Sequence, residues 1–471
     1  MSSNQHTQLG VSTIFSFLKR AIKGEEQDYT EGSLRKALFM LAIPMVLEMV
    51  MESVFAVVDI FFVGKLGKDA VSTVGLTESV LAIVYSLAIG LSMAATALVS
   101  RRIGEKNPEE AAKAGMQAVL LSVIISVLIS IAGVFFSKNI LQLMGASAEI
   151  VEVGSTYTQI IFGSNIVIIL LFLINGIFRG AGDASIAMRS LWIANICNII
   201  LCPLLIYGLG PFQGFGLTGA ALATTFGRGF GVCYQLFHLF SGKRIIKIGW
   251  KHLQPDMKII RSVLSIAWTA TFQFLIASAS WIVLAKIVAR FGSAAIAGYT
   301  VALRIIMFFI LPAWGLSNAA ATLVGQNLGA GKPDRAEQSV WKAAKYNALF
   351  MIFVSVIILL FSEQIIRFMN NDKEVEIIAS QALRIISFGY IFFGVGMVIT
   401  SSFNGAGDTK TPTWINLFGF WTFQIPLAYM LAISLDLGPT GVFFAIVITE
   451  TLITIVGIII FRKGKWKLVK I

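Results

Sequence analysis

The stretch Gly180-Ala181-Gly182-Asp183 returns 225 positions later as Gly405-Ala406-Gly407-Asp408. The same offset carries Gly104 onto Gly329. Similarity within one chain at a fixed offset is the signature of an internal duplication. The sequence therefore predicts two halves that share one fold.

The chain between these landmarks is strongly apolar. Of its 471 residues, 56% are hydrophobic and 13% are charged, whereas soluble proteins average about 25% charged residues. An apolar stretch of about 20 residues crosses the roughly 30 Å hydrocarbon core as a helix. Twelve such stretches are predicted, at 37–63, 70–100, 111–136, 157–178, 186–208, 217–240, 260–289, 294–324, 341–361, 379–404, 413–434 and 439–461. We therefore expect an all-α polytopic membrane protein with twelve transmembrane helices.

Six spans in each half form two six-helix lobes. Because six is even, both halves enter and leave on the same side of the membrane, and the lobes are parallel repeats related by a pseudo-two-fold axis along the membrane normal. The predicted domains are an N-terminal segment, an N-lobe, a linker between the lobes, a C-lobe and a basic tail, which cover residues 1–35, 36–240, 241–261, 262–461 and 462–471.

The placement of the basic residues predicts the topology. Most of the 37 lysines and arginines lie in alternate loops and at the two ends, above all in 241–261 and 462–471. The positive-inside rule then places both termini in the cytoplasm. The net charge of +12 thus reflects topology and not nucleic-acid binding. We expect a monomer in the inner cell membrane that is surrounded by lipid. Residues 14–20 are expected to form either an amphipathic helix on the membrane surface or an unordered tail.

Three acids stand in the first span. Glu48, Glu52 and Asp59 share one face of a helix that turns about 100° per residue. Acids inside the bilayer are costly and mark ion or substrate paths, so this face is a candidate binding stripe for H⁺ or Na⁺. Structural hydrogen bonding to neighbouring helices is the alternative. Pro44 lies in the same span and permits either a moving hinge or a permanent kink.

Four further charges fall inside spans. Under the repeat, Arg304 corresponds to the neighbour of Glu78, and Arg228 corresponds to Glu450. We expect these residues to act in gating: Glu78 and Arg304 would approach each other when the lobes close on the outer side and separate when they open. The alternative is that each charge is satisfied within its own lobe.

Two nucleotide-binding patterns are unsupported by their context. The glycines of 214–219 follow a helix without a βαβ unit, and 329–332 lacks the first glycine and the Ser or Thr of a P-loop. The three histidines form no metal-ligand pattern. We therefore expect no metal, no organic cofactor and no enzymatic activity, and a membrane enzyme or channel is the weakest class.

Five segments, 57–67, 102–104, 175–183, 325–331 and 404–408, follow one another within the twelve predicted spans. With these segments in this order, the chain resembles the multidrug and toxic compound extrusion (MATE) family. The resemblance implies an antiporter that exports amphipathic, often cationic compounds in exchange for H⁺ or Na⁺. A flippase or exporter of lipid-linked or metabolite cargo in the same superfamily is the alternative.

The resemblance also implies the ion-coupling residues. Asp59 matches the first-span acid of the family, and Asn198 matches an asparagine of the same cluster. Cys202 stands where relatives often have aspartate, so Glu52 is a candidate replacement. Since the seventh and tenth spans carry no acid, coupling through the N-lobe is expected, with H⁺ preferred.

The substrate cleft is expected between spans 1, 2, 7 and 8. Aromatic rings and methionines form pliable surfaces that accept organic cations. The candidates for its lining are Phe55, Phe61, Met93, Trp268, Phe272, Gln273, Trp281 and Met307.

Overall fold

The structure is a computed structural model that describes residues 11–25, 27–209, 212–242, 244–369 and 372–471. Residues 1–10 of the predicted N-terminal segment and residue 243 of the predicted linker lie outside the described residues. The described chain is almost entirely helical.

The first half contains nine helices and one short hairpin in its described residues. They are α1 (Val11–Lys23), α2 (Leu34–Gly64), α3 (Lys68–Gly104), α4 (Pro108–Phe135), α5 (Ser137–Leu143), α6 (Ala148–Gly163), α7 (Asn165–Ala181), α8 (Ala184–Tyr207), the two-residue antiparallel strands β1 (Gly208–Leu209) and β2 (Phe212–Gln213), and α9 (Gly216–Phe240). The strands connect α8 to α9 and are too short to form a βαβ unit, although β2 does precede the glycines of 214–219.

The second half repeats this order of long helices. It consists of α10 (Met257–Ala289), α11 (Ser293–Gly329), α12 (Pro333–Met369), α13 (Lys373–Phe388), α14 (Tyr390–Gly405), α15 (Lys410–Asn416), a π-helical stretch (Leu417–Gln424), α16 (Ile425–Tyr429), a second π-helical stretch (Met430–Ser434) and α17 (Pro439–Arg462). Short 3₁₀ helices lie at Trp250–Leu253 and Lys465–Leu468. Because α10 begins at Met257, its first turn lies within the predicted linker.

Membrane-spanning helices account for the predicted stretches. Ten helical segments of the described chain are long and apolar enough to cross a membrane, and α13 with α14 makes an eleventh that bends by 57° at Gly389. The remaining predicted span is α9, a 25-residue helix. It is less apolar because it carries Arg228, Gln235 and several glycines.

The backbone shows the duplication directly. Gly67 and Gly292 begin α3 and α11 with φ of 105° and 103°, and Gly182 and Gly407 follow α7 and α14 with φ of 89° and 87°. These left-handed conformations favour glycine because they crowd a Cβ atom. The two halves therefore use the same turns at equivalent positions.

Helix starts follow from local sequence. The side chain of Asn107 accepts a hydrogen bond from the backbone N–H of Glu110, and Pro108 occupies the first helical turn of α4. Asp256 likewise accepts from the N–H groups of Lys258 and Ile259 at the start of α10. Such caps satisfy the free N–H groups of the first turn.

Four turns meet at one end of the bundle. Gln326 donates from Nε2 to the carbonyl oxygen of Gly180 at 3.0 Å, and Arg101 donates from Nη2 to that of Ala406 at 3.2 Å. We call this the terminal end, defined by residues 101–108, 180–184, 326–333 and 405–410, and the opposite end the distal end. Each of these two bonds runs from one lobe to the turn of the other.

Glycines allow α3 and α11 to cross closely at the terminal end. A Cβ atom on Gly104 would lie 2.8 Å from the carbonyl carbon of Gln326, and one on Gly329 would lie 3.0 Å from that of Arg101. The offset of 225 converts one contact into the other. We call this reciprocal contact the glycine crossing.

Apolar packing joins the lobes in the same region. Besides a core within each lobe, a third cluster packs α2 against α11 and α12, with Leu38, Leu41 and Met45 on one side and Leu323 and Val340 on the other. All five side chains are buried. The lobes are therefore closed against each other at the terminal end.

Candidate functional site

A cavity lies between the lobes on the distal side of the glycine crossing. Both lobes contribute to its lining. The residues that line it are Met49, Ile89, Ser92, Met93, Thr96, Phe172 and Arg179 from the N-lobe, and Trp314, Asn318, Ala321, Ser401, Asn404 and Gly405 from the C-lobe. The surface is thus mostly apolar and aromatic, with a few amides and hydroxyls and one arginine.

The predicted cleft residues are only partly placed there. Met93 lines the cavity, whereas the other predicted residues are absent from this described lining. Trp268 and Phe272 contact each other, with ring centroids 4.7 Å apart, and are 67% and 39% exposed. Gln273 is buried at 4% exposure. The observed cavity therefore lies closer to α7, to the middle of α11 and to α14 than the predicted cleft does.

The remaining predicted aromatic and methionine positions lie elsewhere on the bundle. Phe55 stacks under the Arg228 guanidinium at 5.1 Å. Phe61 is 58% exposed and lies under the Lys65 ammonium. Met307 is also exposed, and Trp281 packs against the core of the C-lobe. These side chains frame the distal part of the molecule and do not line the cavity.

The predicted charge pair across the lobes consists of Glu78 and Arg304. Glu78 and Arg304 are both exposed and lie within electrostatic range of each other. Among the ion pairs of the described residues, which extend to 4.0 Å, the pair does not occur. The two side chains are therefore not paired in this structure. Their approach to each other on closure of the distal end stays a prediction.

Glu48 lies at the centre of a buried network in the N-lobe. Its Oε1 accepts from Nδ2 of Asn175 at 2.9 Å and lies 3.6 Å from Nη1 of Arg179. Gln235 and Ser190 donate to Oδ1 of Asn175 at 2.6 and 2.9 Å. Glu48 is 1% exposed. These contacts join α2, α7, α8 and α9, which is the arrangement expected of a structural acid.

Glu52 forms a second, separate pair. Its Oε1 accepts from Nη2 of Arg228 at 3.3 Å, and its Oε2 accepts from Nδ2 of Asn195 at 3.4 Å. Arg228 also donates to the hydroxyl of Tyr85 and is 2% exposed. Arg228 is therefore paired inside the N-lobe through Nη2, which differs from the inter-lobe role expected for it, while its Nε and Nη1 have no acceptor among the described residues.

Asp59 differs from Glu48 and Glu52 because no arginine is paired with it in the described part of the chain. Its Oδ1 is buried and has no hydrogen-bond donor among the described residues, as is also true of Oε2 of Glu48. Arg228 interacts electrostatically with Asp59, but the two form no ion pair within the described part of the chain. Asn198 donates to Oγ1 of Thr224 at 3.2 Å, and its own Oδ1 is also without a partner. Asp59 and Asn198 thus each keep a buried acceptor oxygen without a donor.

Pro44 and Glu450 complete the predicted set. α2 runs through Pro44 without a break, from Leu34 to Gly64. Glu450 lies on α17 in the C-lobe and has no ion pair among the described residues. In the part of the chain that the structure describes, no three His, Cys, Asp or Glu side chains come together as a metal site.

The glycine-aspartate turns behave as helix starts. Asp408 accepts from the N–H of Thr411, and Asp183 precedes α8 and accepts from the hydroxyl of Ser185. Burial raises the pKa of the Asp183 carboxyl, an effect that Arg244 at 3.3 Å opposes. Both turns lie at the terminal end, and Asp183 and Asp408 do not belong to the described lining of the cavity.

The family model MatE matches residues 44–204 and, a second time, residues 270–430. Together the two matches cover more than half of the 471 residues, and each lies within one of the two predicted lobes. The chain belongs to the MatE family.

Known relatives of similar length agree with a MatE assignment. The chain is 26% identical over 410 residues to the probable multidrug resistance protein YoeA of Bacillus subtilis, and the match covers 86% of this chain and 89% of that protein. It is 25% identical over 453 residues to the probable multidrug resistance protein NorM of Thermotoga maritima, with coverage of 96% and 97%. As a MatE protein the chain is a membrane transporter of the multidrug efflux type and not an enzyme.

A solved MatE-like structure has the same architecture. The protein is a MOP superfamily transporter from Pyrococcus furiosus, described as having a binding pocket of reverse polarity that suggests a different function. It superposes with a TM-score of 0.89 at 26% identity, covering 95% of this chain and 100% of the other. The predicted fold, two lobes of membrane helices, is confirmed.

Several residues of the cavity were not among the candidates predicted from the sequence. Arg179 lies one residue beyond the predicted span 157–178, but α7 continues to Ala181 and buries it at 8% exposure. Trp314, Asn318 and Asn404 line the cavity. Trp314 and Asn318 lie four residues apart on α11, a spacing that places both on one helix face and that the sequence contains.

Proposed function

We propose that the protein is an antiporter that exports amphipathic, often cationic organic compounds in exchange for H⁺, with Asp59 as the coupling acid. This proposal rests on Asp59 having a buried carboxylate oxygen without a donor and, unlike Glu48 and Glu52, no arginine paired with it. A buried anion without a partner is costly, so this site favours either a bound proton or a bound cation. The other two acids of α2 are already held by arginines.

The chemistry of the site favours H⁺ over Na⁺. Hard cations need several oxygen ligands. Cys202, which is fully buried and within electrostatic range of Asp59, offers sulfur where another acid would supply oxygen. A proton needs only the unpartnered oxygen itself. No organic cofactor is required for this exchange.

The cavity supports an amphipathic cargo. Phe172, Trp314 and Met93 give apolar and aromatic surface, and Asn318 and Asn404 give a few polar contacts. The single charge of the lining, Arg179, is offset by Glu48 at 3.6 Å. Few polar groups in a mostly apolar pocket are typical of sites for small organic molecules. One monomer contains the whole path.

We propose that this structure is the outward-open state. The basic loops and the tail lie at the terminal end, which the positive-inside rule places in the cytoplasm of a cell with the protein in its inner membrane. The closed glycine crossing then faces the cytoplasm, and the cavity opens to the outside. Alternating access requires that this crossing separate in the other half of the cycle.

Efflux from proteoliposomes tests the coupling. A fluorescent lipophilic cation is loaded, and a pH gradient or a Na⁺ gradient is imposed separately. We expect the pH gradient to drive efflux by the unmodified protein and not by Asp59→Asn. Asp69→Asn, which neutralises an exposed acid in the first turn of α3, is the matched control. Efflux by Asp59→Asn at the control's rate would rule out Asp59 as the coupling group.

A second candidate cargo is an anionic or lipid-linked compound. Arg179 in the lining and Arg304 at the distal opening favour it, as does the likeness to a transporter whose binding pocket has reverse polarity. Competition by cationic and anionic amphiphiles of equal chain length in the same efflux assay separates the two. Stronger inhibition by the anion would replace the cationic cargo with this one.

A further inference from the structure

Two short segments cross the terminal end. The first, residues 27–33, connects α1 to α2 and belongs to the N-lobe; we call it the N-strap. The second, residues 463–471, follows α17 and belongs to the C-lobe; we call it the C-strap. Each strap is bound by basic side chains of the opposite lobe.

The N-strap is held by the start of the second half's α12. Arg335 donates to the carbonyl oxygens of Gly32 at 2.9 Å, Glu31 at 2.8 Å and Tyr29 at 3.3 Å. Lys332 donates to the carbonyl oxygen of Thr30 at 3.1 Å. Four successive carbonyl groups of an N-lobe segment are thus bound by two C-lobe cations.

The N-strap is also anchored to its own lobe. Tyr29 is 4% exposed, and its hydroxyl donates to the carbonyl oxygen of Gly182 at 3.3 Å. Gly182 adopts a left-handed φ of 89°, and a Cβ there would contact the Tyr29 ring. The strap therefore connects the turn after α7 to α12, from one lobe to the other.

The C-strap mirrors this arrangement. Arg101 of the N-lobe donates to the carbonyl oxygen of Val469 at 3.1 Å, and Arg102 donates to that of Ile471 at 3.1 Å. Within the C-lobe the strap is fixed by Trp466, which is 1% exposed and stacks on Phe461 with centroids 4.7 Å apart. The strap thus connects α17 to the end of α3.

The backbone carbonyls make these contacts insensitive to strap sequence but sensitive to distance. Hydrogen bonds from charged donors are stronger than neutral ones, and they fail once donor and acceptor separate. The same Arg101 also bonds the Ala406 turn beside the glycine crossing. Separation of the crossing would therefore break the bonds of both straps together.

From this exchange of straps we propose that the N-strap and the C-strap form a paired latch, in which each lobe's strap is held by the other lobe and must be released before the terminal end opens. The latch sets how often the terminal end opens and leaves the cavity unchanged. It rests on the alternating access of the proposed function but not on Asp59 or on the coupled ion.

Thiol labelling measures the opening. Ser100 is fully buried at the crossing, so Ser100→Cys reacts with a maleimide only when the terminal end opens. The background carries Cys197→Ser and Cys233→Ser, and the same background without Ser100→Cys reports reaction at Cys202. Arg101→Met with Arg335→Met removes four of the six inter-lobe strap bonds and leaves those of Lys332 and Arg102. Arg384→Met, which loses bonds to Ser362 and Glu363 within one lobe, is the matched control.

We expect the double variant in nanodiscs to label about tenfold faster than the control, as the loss of charged hydrogen bonds implies. Arg101→Lys with Arg335→Lys should restore part of the slow rate. Equal rates in the double variant and the control would overturn the latch. If no variant is labelled even when bound cargo closes the distal end, alternating access is overturned as well.

A cross-link gives a second measurement that does not weaken the fold. Lys332 Nζ and Glu31 Oε1 approach to 3.6 Å, so Glu31→Cys with Lys332→Cys can be joined by a short bis-methanethiosulfonate, which forms a disulfide with each thiolate, releases methanesulfinate and is cleaved by reduction. We expect the joined protein to bind cargo but to stop efflux, and reduction to restore it. Undiminished efflux with the link complete would contradict a latch that must release.

Discussion

A methyl group at the glycine crossing should shift the protein away from the observed state. In Gly104→Ala the new Cβ lies 2.8 Å from the carbonyl carbon of Gln326, and in Gly329→Ala it lies 3.0 Å from that of Arg101. Both neighbours are backbone atoms, so they yield only if α3 and α11 separate. Overpacking of this kind costs about 1–3 kcal/mol, which corresponds to roughly a 5- to 150-fold shift in population toward the terminal-open state.

The distance between the distal ends of these helices reports the shift. Lys68 and Ser293 are exposed first residues of α3 and α11, and spin labels at these positions approach each other when the distal end closes. We expect a new population at shorter distance in each alanine variant, and a larger one in the double variant.

Gly75→Ala is the matched control for this prediction. It lies on α3, and a Cβ there meets no atom within 4 Å. It gains the same helix propensity as the test variants without the clash. Distance distributions that coincide in Gly75→Ala and Gly104→Ala would refute the role of the crossing in keeping the terminal end closed.

Three further predictions concern the buried pair, the C-strap and pH. Arg228→Met should lower the free energy of unfolding by about 3 kcal/mol, because it leaves Glu52 buried without its cation; thermal unfolding should show partial recovery when Glu52→Gln is added, and no recovery would contradict the pairing. Trp466→Ala should release the C-strap, since loss of a buried tryptophan costs about 3 kcal/mol or more; cleavage by trypsin at Lys467 should rise by roughly 100-fold, while Trp466→Phe should change it little. The Lys467 ammonium, 2.6 Å from Glu337, holds the pKa of that carboxyl below its usual value of about 4.3 despite the nearby Asp334. The stabilisation is complete above that usual value and is lost as pH falls through the folded-state pKa, so Glu337→Gln should remove a loss of stability below about pH 4.3; an unchanged pH dependence of unfolding would contradict it.

The duplication and the helices were predictable because both are written in local patterns. The turns at Gly182 and Gly407 have a left-handed backbone conformation, which favours glycine. Glycine therefore recurs at a fixed offset in the sequence. Span length follows from bilayer thickness. The helix α9 is the exception because Arg228 lowers its hydropathy. This arginine is tolerated because Glu52, Tyr85 and Phe55 contact it, and these tertiary contacts cannot be read from the local sequence.

The candidate site was less predictable for a physical reason. In a membrane protein the lipid-facing side and the packed side of a helix are both apolar, so residues such as Trp268 cannot be assigned to the cavity by periodicity. Pairing partners are also nonlocal. Glu48, Glu52 and Asp59 are alike in sequence, and only the positions of Arg179 and Arg228 show that two of them have fixed cations while Asp59 does not.

Proton release on cargo binding tests this distinction most directly. Purified protein in weakly buffered solution with a pH dye is titrated with a lipophilic cation that it exports. If cargo and proton compete through Asp59, binding linkage requires release of up to about one proton per cargo bound by the unmodified protein, and none by Asp59→Asn, which should still bind the cargo. Equal proton release by both proteins would show that the exchangeable proton resides elsewhere.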